Sequence, residues 1–112
     1  MIDITDEQLG MVCKILEKHI PGKTVVAFGS RINSHSQKAS DLDLAIINEE
    51  ALSLTKLAEL REAFSESDLS FRVDLVDVGR VGGEFRKKIM DQYEIVYNPG
   101  RLNITKWLKN LK

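Results

Sequence analysis

The chain has 112 residues, 43% of them hydrophobic, enough for one core and one domain without disulfide or metal staples. With 16 basic and 17 acidic residues the formal net charge is -1, which excludes the strong overall footprint of a non-specific nucleic-acid or anionic-membrane binder. The one cysteine, Cys13, cannot close an intrachain disulfide, no apolar run nears the roughly 18 residues of a membrane span, and no secretory leader pattern opens the chain, so a soluble cytoplasmic protein is expected.

Thr5 or Asp6 is placed to cap a first helix, in which Leu9, Val12, Cys13, Leu16 and Ile20 recur at helical spacing until Pro21 and Gly22 stop it. Residues 23–28 (KTVVAF) are short, β-branched and apolar and read as a buried strand, and Gly29-Ser30 turns the chain out of it. After a polar segment, residues 41–47 (DLDLAII) begin with alternation and end in a continuous apolar run, as a strand with one solvent-facing end does. From Ser53, apolar residues at 54, 57, 58, 60, 63 and 64 predict a second helix, and residues 71–78 a third strand.

Residues 79–83 read as a loop, after which Phe85, Ile89 and Met90 mark a third helix and residues 93–97 (YEIVY) a last strand before Pro99-Gly100. Leu102, Trp107, Leu108 and Leu111 fall along one side of a short helical tail. Strands alternating with helices predict an α/β (α+β) fold, a mixed β-sheet with helices packed on it. The domain is expected over 1–98 and the tail over 99–112, with no internal repeat or linker.

Asp41 and Asp43 stand two apart at the start of a strand, so the pleat sends both carboxylates the same way. Asp74 alternates with Val73 and Leu75 and projects away from those apolar neighbours, so adjacent strands would bring three carboxylates together. Asp77, three positions on, falls on the opposite face and is left out. Clustered negative charges repel unless a cation balances them, and a hard oxygen donor set without paired cysteines or histidines selects magnesium or manganese. Two such ions support phosphoryl transfer. Gly29-Ser30, directly after a buried strand, suits phosphate capture: glycine admits a close approach, the serine hydroxyl donates, and Arg31 adds positive charge.

An isolated D-x-D or Gly-Ser turn is more often plain surface structure; the order of strand, Gly-Ser, polar loop, D-x-D and a later third aspartate is what carries weight here. Other phosphate and metal motifs fail on spacing. Leu44, Ala45 and Ile46 occupy the ligand positions of an EF-hand loop, and neither a Walker Gly-Lys-Ser/Thr nor a G-x-G-x-x-G occurs.

AFGSRINSHSQKASDLDLAII, with Asp74 downstream, resembles the G-S-x(10)-D-x-D signature of the polymerase-beta superfamily of nucleotidyltransferases. In size it is similar to the minimal members, the MNT proteins commonly encoded beside a HEPN-domain partner. The resemblance runs from the first helix to Tyr97. It implies a mixed sheet with packed helices, Gly29 and Ser30 on the triphosphate of ATP, Asp41, Asp43 and Asp74 on magnesium (two ions, with manganese an alternative), and Asp74 also taking the proton of the attacking hydroxyl. Ser40 braces the loop. The implied activity is transfer of AMP to a tyrosine of the HEPN toxin encoded by the adjacent gene, so that the chain acts as its antitoxin, with a homo- or hetero-oligomer expected. Many minimal members carry a second glycine where this chain has Ser34, a departure from which a different closure of the loop over the phosphates is expected.

Two other functions fit the same residues: a binding module that neutralises its partner by contact alone, and a nucleotidyltransferase acting on a small molecule or an RNA end. His19 suits a helix C-terminus, His35 a polar loop, and Cys13 a packed position, so none is assigned a catalytic role. Arg72, Arg80, Arg86, Lys87 and Lys88 read as a basic rim near Asp74 or a solvated helix face.

Overall fold

The computed structural model describes residues 4–29, 41–81 and 83–109. Ser30, Arg31, Ser34, His35, Ser40 and Leu111 lie outside them.

Thr5 is the cap of α1 (Asp6–His19). Its hydroxyl accepts from the Gln8 N-H at 3.0 Å while the Gln8 side-chain oxygen accepts from the Thr5 N-H at 2.9 Å, a reciprocal capping box. Val12 and Leu16 turn inward from α1 and are fully buried. β1 (Thr24–Phe28) is buried along its whole length and pairs antiparallel with β2 (Leu42–Ile47). Ser53 caps α2 (Leu54–Ser65), which crosses over to β3 (Val73–Asp77), parallel to β2. A 3-10 turn over Val78–Arg80, α3 (Gly83–Asp91), β4 (Glu94–Tyr97) and α4 (Ile104–Lys109) complete the chain.

The described sheet has the order β3-β2-β1-β4, with β1 antiparallel to both its neighbours and β2 parallel to β3, so it is mixed as expected. α1 and α2 pack on each other and reach β4 and β3 respectively. α3 approaches the sheet through Phe85, whose ring stands edge-on to Phe28 at 5.5 Å. The core gathers Leu16, Val25, Val26, Leu44, Ile46 and Leu60, all fully buried, and each such side chain contributes about 1.5–3 kcal/mol on leaving water. No described helix is long and apolar enough to cross a membrane.

Three expectations change in detail. The third strand is shorter, since Phe71 enters the core outside the ladder. In α2 the buried stripe is Leu57, Leu60 and Phe64, while Leu54 is 69% exposed, one turn ahead of the surface that covers the rest. In the tail, Ile104 and Leu108, four apart, face the core, and Trp107 is half-buried with the Arg86 guanidinium 4.8 Å from its ring centre.

Asp77 pairs in register with Ile46, the face opposite that of Asp74. There it acts as a bracket. Its buried carboxylate accepts the Leu52 N-H at 2.6 Å and the Gly79 N-H at 3.0 Å, and the Arg80 guanidinium lies 3.8 Å away while also donating to the Leu52 carbonyl. Gly79 closes the same joint, since a Cβ there would stand 2.6 Å from the Ala51 nitrogen. The loop after β2 is thereby held against the end of β3, where the crossover is tied off.

Asp77→Ala should therefore cost on the order of 2–4 kcal/mol, because two backbone N-H groups lose a buried acceptor and Arg80 its counter-charge. Urea unfolding checks this; a loss below about 0.5 kcal/mol, the level of an ordinary surface change, would reject the bracket.

Candidate active site

The carboxylates are brought together by register. Asp43 is the Cα partner of Asp74 across the parallel β2-β3 ladder, and cross-strand partners carry their side chains on the same face. Asp41, two residues before Asp43, immediately precedes the strand. Asp41 and Asp43 are half-buried and Asp74 is exposed. The intervening Leu42 and Leu44 are fully buried on the other face, and their burial prevents the strand from slipping.

Asp43 is the centre of the group electrostatically. Burial pushes its carboxyl above the usual range, the charges of Asp74 and then Asp41 push it further, and among the described residues Lys88 pulls it back. On the other side, Asp43 is the register partner of Phe28, which places Gly29 beside it. Gly29 has φ of 82°, and a Cβ on it would come within 2.3 Å of Asp43 Oδ2. The position thus excludes any side chain for two reasons: the left-handed backbone and the carboxylate against it.

This donor set fits a hard divalent cation. It is all carboxylate oxygen and, among the described residues, carries more negative charge than the opposing Lys88 balances. Among the described residues no three acidic, histidine or cysteine side chains stand as a group that could hold a metal ion, so the three carboxylates are not a ready-made cage. Magnesium needs no such cage, since it takes one or two carboxylates and completes its shell with water and substrate phosphate.

Of the sequence-predicted site residues, Asp41, Asp43, Asp74 and Gly29 share this end of the sheet, and Ser30, Arg31 and Ser40 fall outside the described residues. The basic rim resolves into separate roles. Arg80 serves the Asp77 bracket, Arg86 covers Trp107, Arg72 lines a groove beside Asp74, and Lys88 acts on Asp43. From sequence Lys88 was one of five basic residues read as a rim near Asp74 or a solvated helix face; what marks it out is its place three residues after Phe85 on one helix face, where its ammonium sits 5.9 Å from the Phe85 ring centre. His19 lines a groove between α1 and α2, and the Cys13 thiol donates to the Val96 carbonyl at 3.4 Å.

A carboxyl whose folded-state pKa is raised favours the fold only while protonated. That contribution is complete below the unfolded-state pKa of about 4 and is lost as pH rises through the higher folded value. Without divalent metal, Asp43→Asn should therefore melt above wild type at pH 7, and the gap should close at about pH 3. Magnesium should raise the melting temperature of wild type and leave the variant little changed. Calorimetry across pH checks both; a variant that melts lower at pH 7 would contradict the repulsion. Gly29→Ala should destabilise by on the order of 1–3 kcal/mol, read by the same melts.

Against known proteins, the family described as "Polymerase beta, Nucleotidyltransferase" matches residues 11–101. The probable protein adenylyltransferase MntA of Haemophilus influenzae is 47% identical over 95 residues, covering 85% of this chain and 83% of that protein. A toxin-antitoxin crystal structure with AMP-PNP shares the fold at a TM-score of 0.75 and 22% identity, over 90% of this chain and 81% of that one. So does a tri-AMPylated Shewanella oneidensis HEPN toxin in complex with MNT antitoxin, at a TM-score of 0.70 and 21% identity, over 95% of this chain and 85% of that one.

Proposed function

Because this chain belongs to the polymerase beta nucleotidyltransferase family, we propose that it is a protein adenylyltransferase that moves AMP from ATP to a hydroxyl of a protein partner, a HEPN-type toxin that it thereby neutralises. The observation that carries the reading is the pairing of Asp43 with Asp74, with Asp41 two residues before and Gly29 pressed against the Asp43 carboxylate. The 47% identity to a probable protein adenylyltransferase supports a protein as acceptor. The names of the two structural neighbours support AMP as the group transferred and a toxin as partner.

Asp41, Asp43 and Asp74 would hold magnesium, which when bound neutralises charge on the triphosphate and the leaving pyrophosphate. Gly29 keeps the surface beside Asp43 free of side-chain bulk, so that the triphosphate can lie close, with Ser30 and Arg31 as its donors and Ser40 bracing their loop. Lys88 adds positive charge on the same face. Asp74, exposed at the sheet edge, takes the proton of the acceptor hydroxyl. The hydroxyl oxygen forms a bond to the α-phosphorus, the α-β phosphoanhydride bond breaks, and pyrophosphate leaves with the bonding electrons.

The test is to mix the protein with the product of the adjacent gene, magnesium and α-labelled ATP. Label is expected on the partner and not without magnesium, and Asp41→Ala or Asp74→Asn should lower the rate by roughly 100-fold or more. An unlabelled partner in the presence of wild type would sink the transfer reading. If an Asp41→Ala, Asp43→Ala double variant still silenced the partner, neutralisation by contact alone would replace it.

A further inference from the structure

Beside Asp74 the described sheet stops. β3 is an edge strand of the described sheet, and a groove of about 670 Å³ runs along it between the strand and the C-terminal half of α2. The Leu42 N-H donates to the Arg72 carbonyl at 2.8 Å, so Arg72 and Asp74 turn their backbone groups toward β2. The alternation of a strand then turns the N-H and C=O of Val73 and Leu75 outward, into the groove. Backbone groups facing outward along an edge are completed by another polypeptide strand, and by no nucleic acid or small metabolite in the same repeating way.

The charge of the groove is also specific. Its charged lining residues are Arg61, Arg72 and Asp74. Both arginines are exposed, and among the described residues neither is held in an ion pair. Arg72 stands two residues before Asp74 and so shares its face, the face of the carboxylates. Two unclaimed guanidinium groups in a groove with an open strand edge form a receptor for an acidic peptide.

We propose that this groove seats the acceptor: an extended, acidic segment of the partner protein pairs along β3 and sets its hydroxyl-bearing side chain opposite Asp74. The inference rests on the adenylyltransferase reading and specifies its substrate. A residue in register with Asp74 is the one whose side chain stands about 5 Å from it on the carboxylate face. Its neighbours one position away point to the other face, and those two positions away return to meet Arg72. The segment therefore carries an acidic residue two positions from the acceptor hydroxyl.

The experiment uses the full chain with magnesium, ATP and two synthetic peptides of seven residues. Each has a central tyrosine flanked by valines, with glutamate in one and lysine in the other at two positions from the tyrosine. Wild type should label the glutamate peptide at least roughly tenfold more efficiently in kcat/KM, and the Arg61→Glu, Arg72→Glu double variant should invert that preference. The ratio is internal to each protein, so partial misfolding or weakened nucleotide binding cancels from it. If the double variant does not fold, Arg72→Ala should still narrow the wild-type preference.

Equal use of the two peptides by wild type, an unchanged preference in a folded variant, or no binding of either peptide at millimolar concentration overturns the proposal. So does displacement of the glutamate peptide by a short oligoadenylate at lower concentration than the unlabelled peptide itself needs, which would make the groove a nucleic-acid site. Fluorescence anisotropy without ATP separates the two levels. Charge-dependent peptide binding without any transfer keeps the groove and sinks the adenylyltransferase reading, whereas transfer indifferent to peptide charge does the reverse.

Discussion

The register of β2 against β3 is the constraint on which the site depends. Asp43 and Asp74 face one another because Leu42, Leu44 and Ile46 are fully buried on the opposite face of β2. Sliding one strand by a single residue would exchange that face for the other, sending the carboxylate into the core and leucines into water. Several core side chains, each worth kilocalories, thus oppose the only movement that would separate the acids. The repulsion between the acids is small beside that penalty, so the fold holds together a group of charges that would not gather unaided.

That repulsion is the other half of the design. Burial and two neighbouring carboxylates push the Asp43 proton affinity upward, with Lys88 in opposition among the described residues. Like charges held together in this way by the surrounding core are the arrangement that the proposed cation would relieve. Gly29 contributes by what it lacks. Any side chain there would press on the Asp43 oxygen, so the acid and the end of β1 are fitted to each other through a missing methyl group.

The two aspartates of β3 illustrate how position decides role. Asp74 stands on the open face at the sheet edge, and its carboxylate reaches solvent. Asp77, three residues later, is turned inward, is 3% exposed, and spends its carboxylate on two backbone N-H groups and Arg80. One is placed for chemistry and the other holds the crossover that keeps the first in register. The arginines divide similarly: Arg80 is committed to the bracket, whereas Arg72 stays unpaired among the described residues beside the groove.

By itself the sequence determined whatever depends on neighbours within a few positions. The capped first helix, the buried first strand, the shared face of Asp41 and Asp43 and the opposed faces of Asp74 and Asp77 all follow from periods of 3.6 and 2 and from local turn chemistry. The ordered set of Gly29, Asp41, Asp43 and Asp74 even carried the family. The tertiary structure alone decided that β2 and β3 are adjacent and parallel, and that Asp43 meets Asp74 rather than a residue beside it. It also decided that Lys88 is the lysine of α3 that acts on Asp43, and that β3 is an edge of the described sheet with Arg61 and Arg72 lining the groove beside it. Those facts join residues from about ten to more than forty positions apart, and such pairings are selected by the packing of the whole core, which no local period encodes.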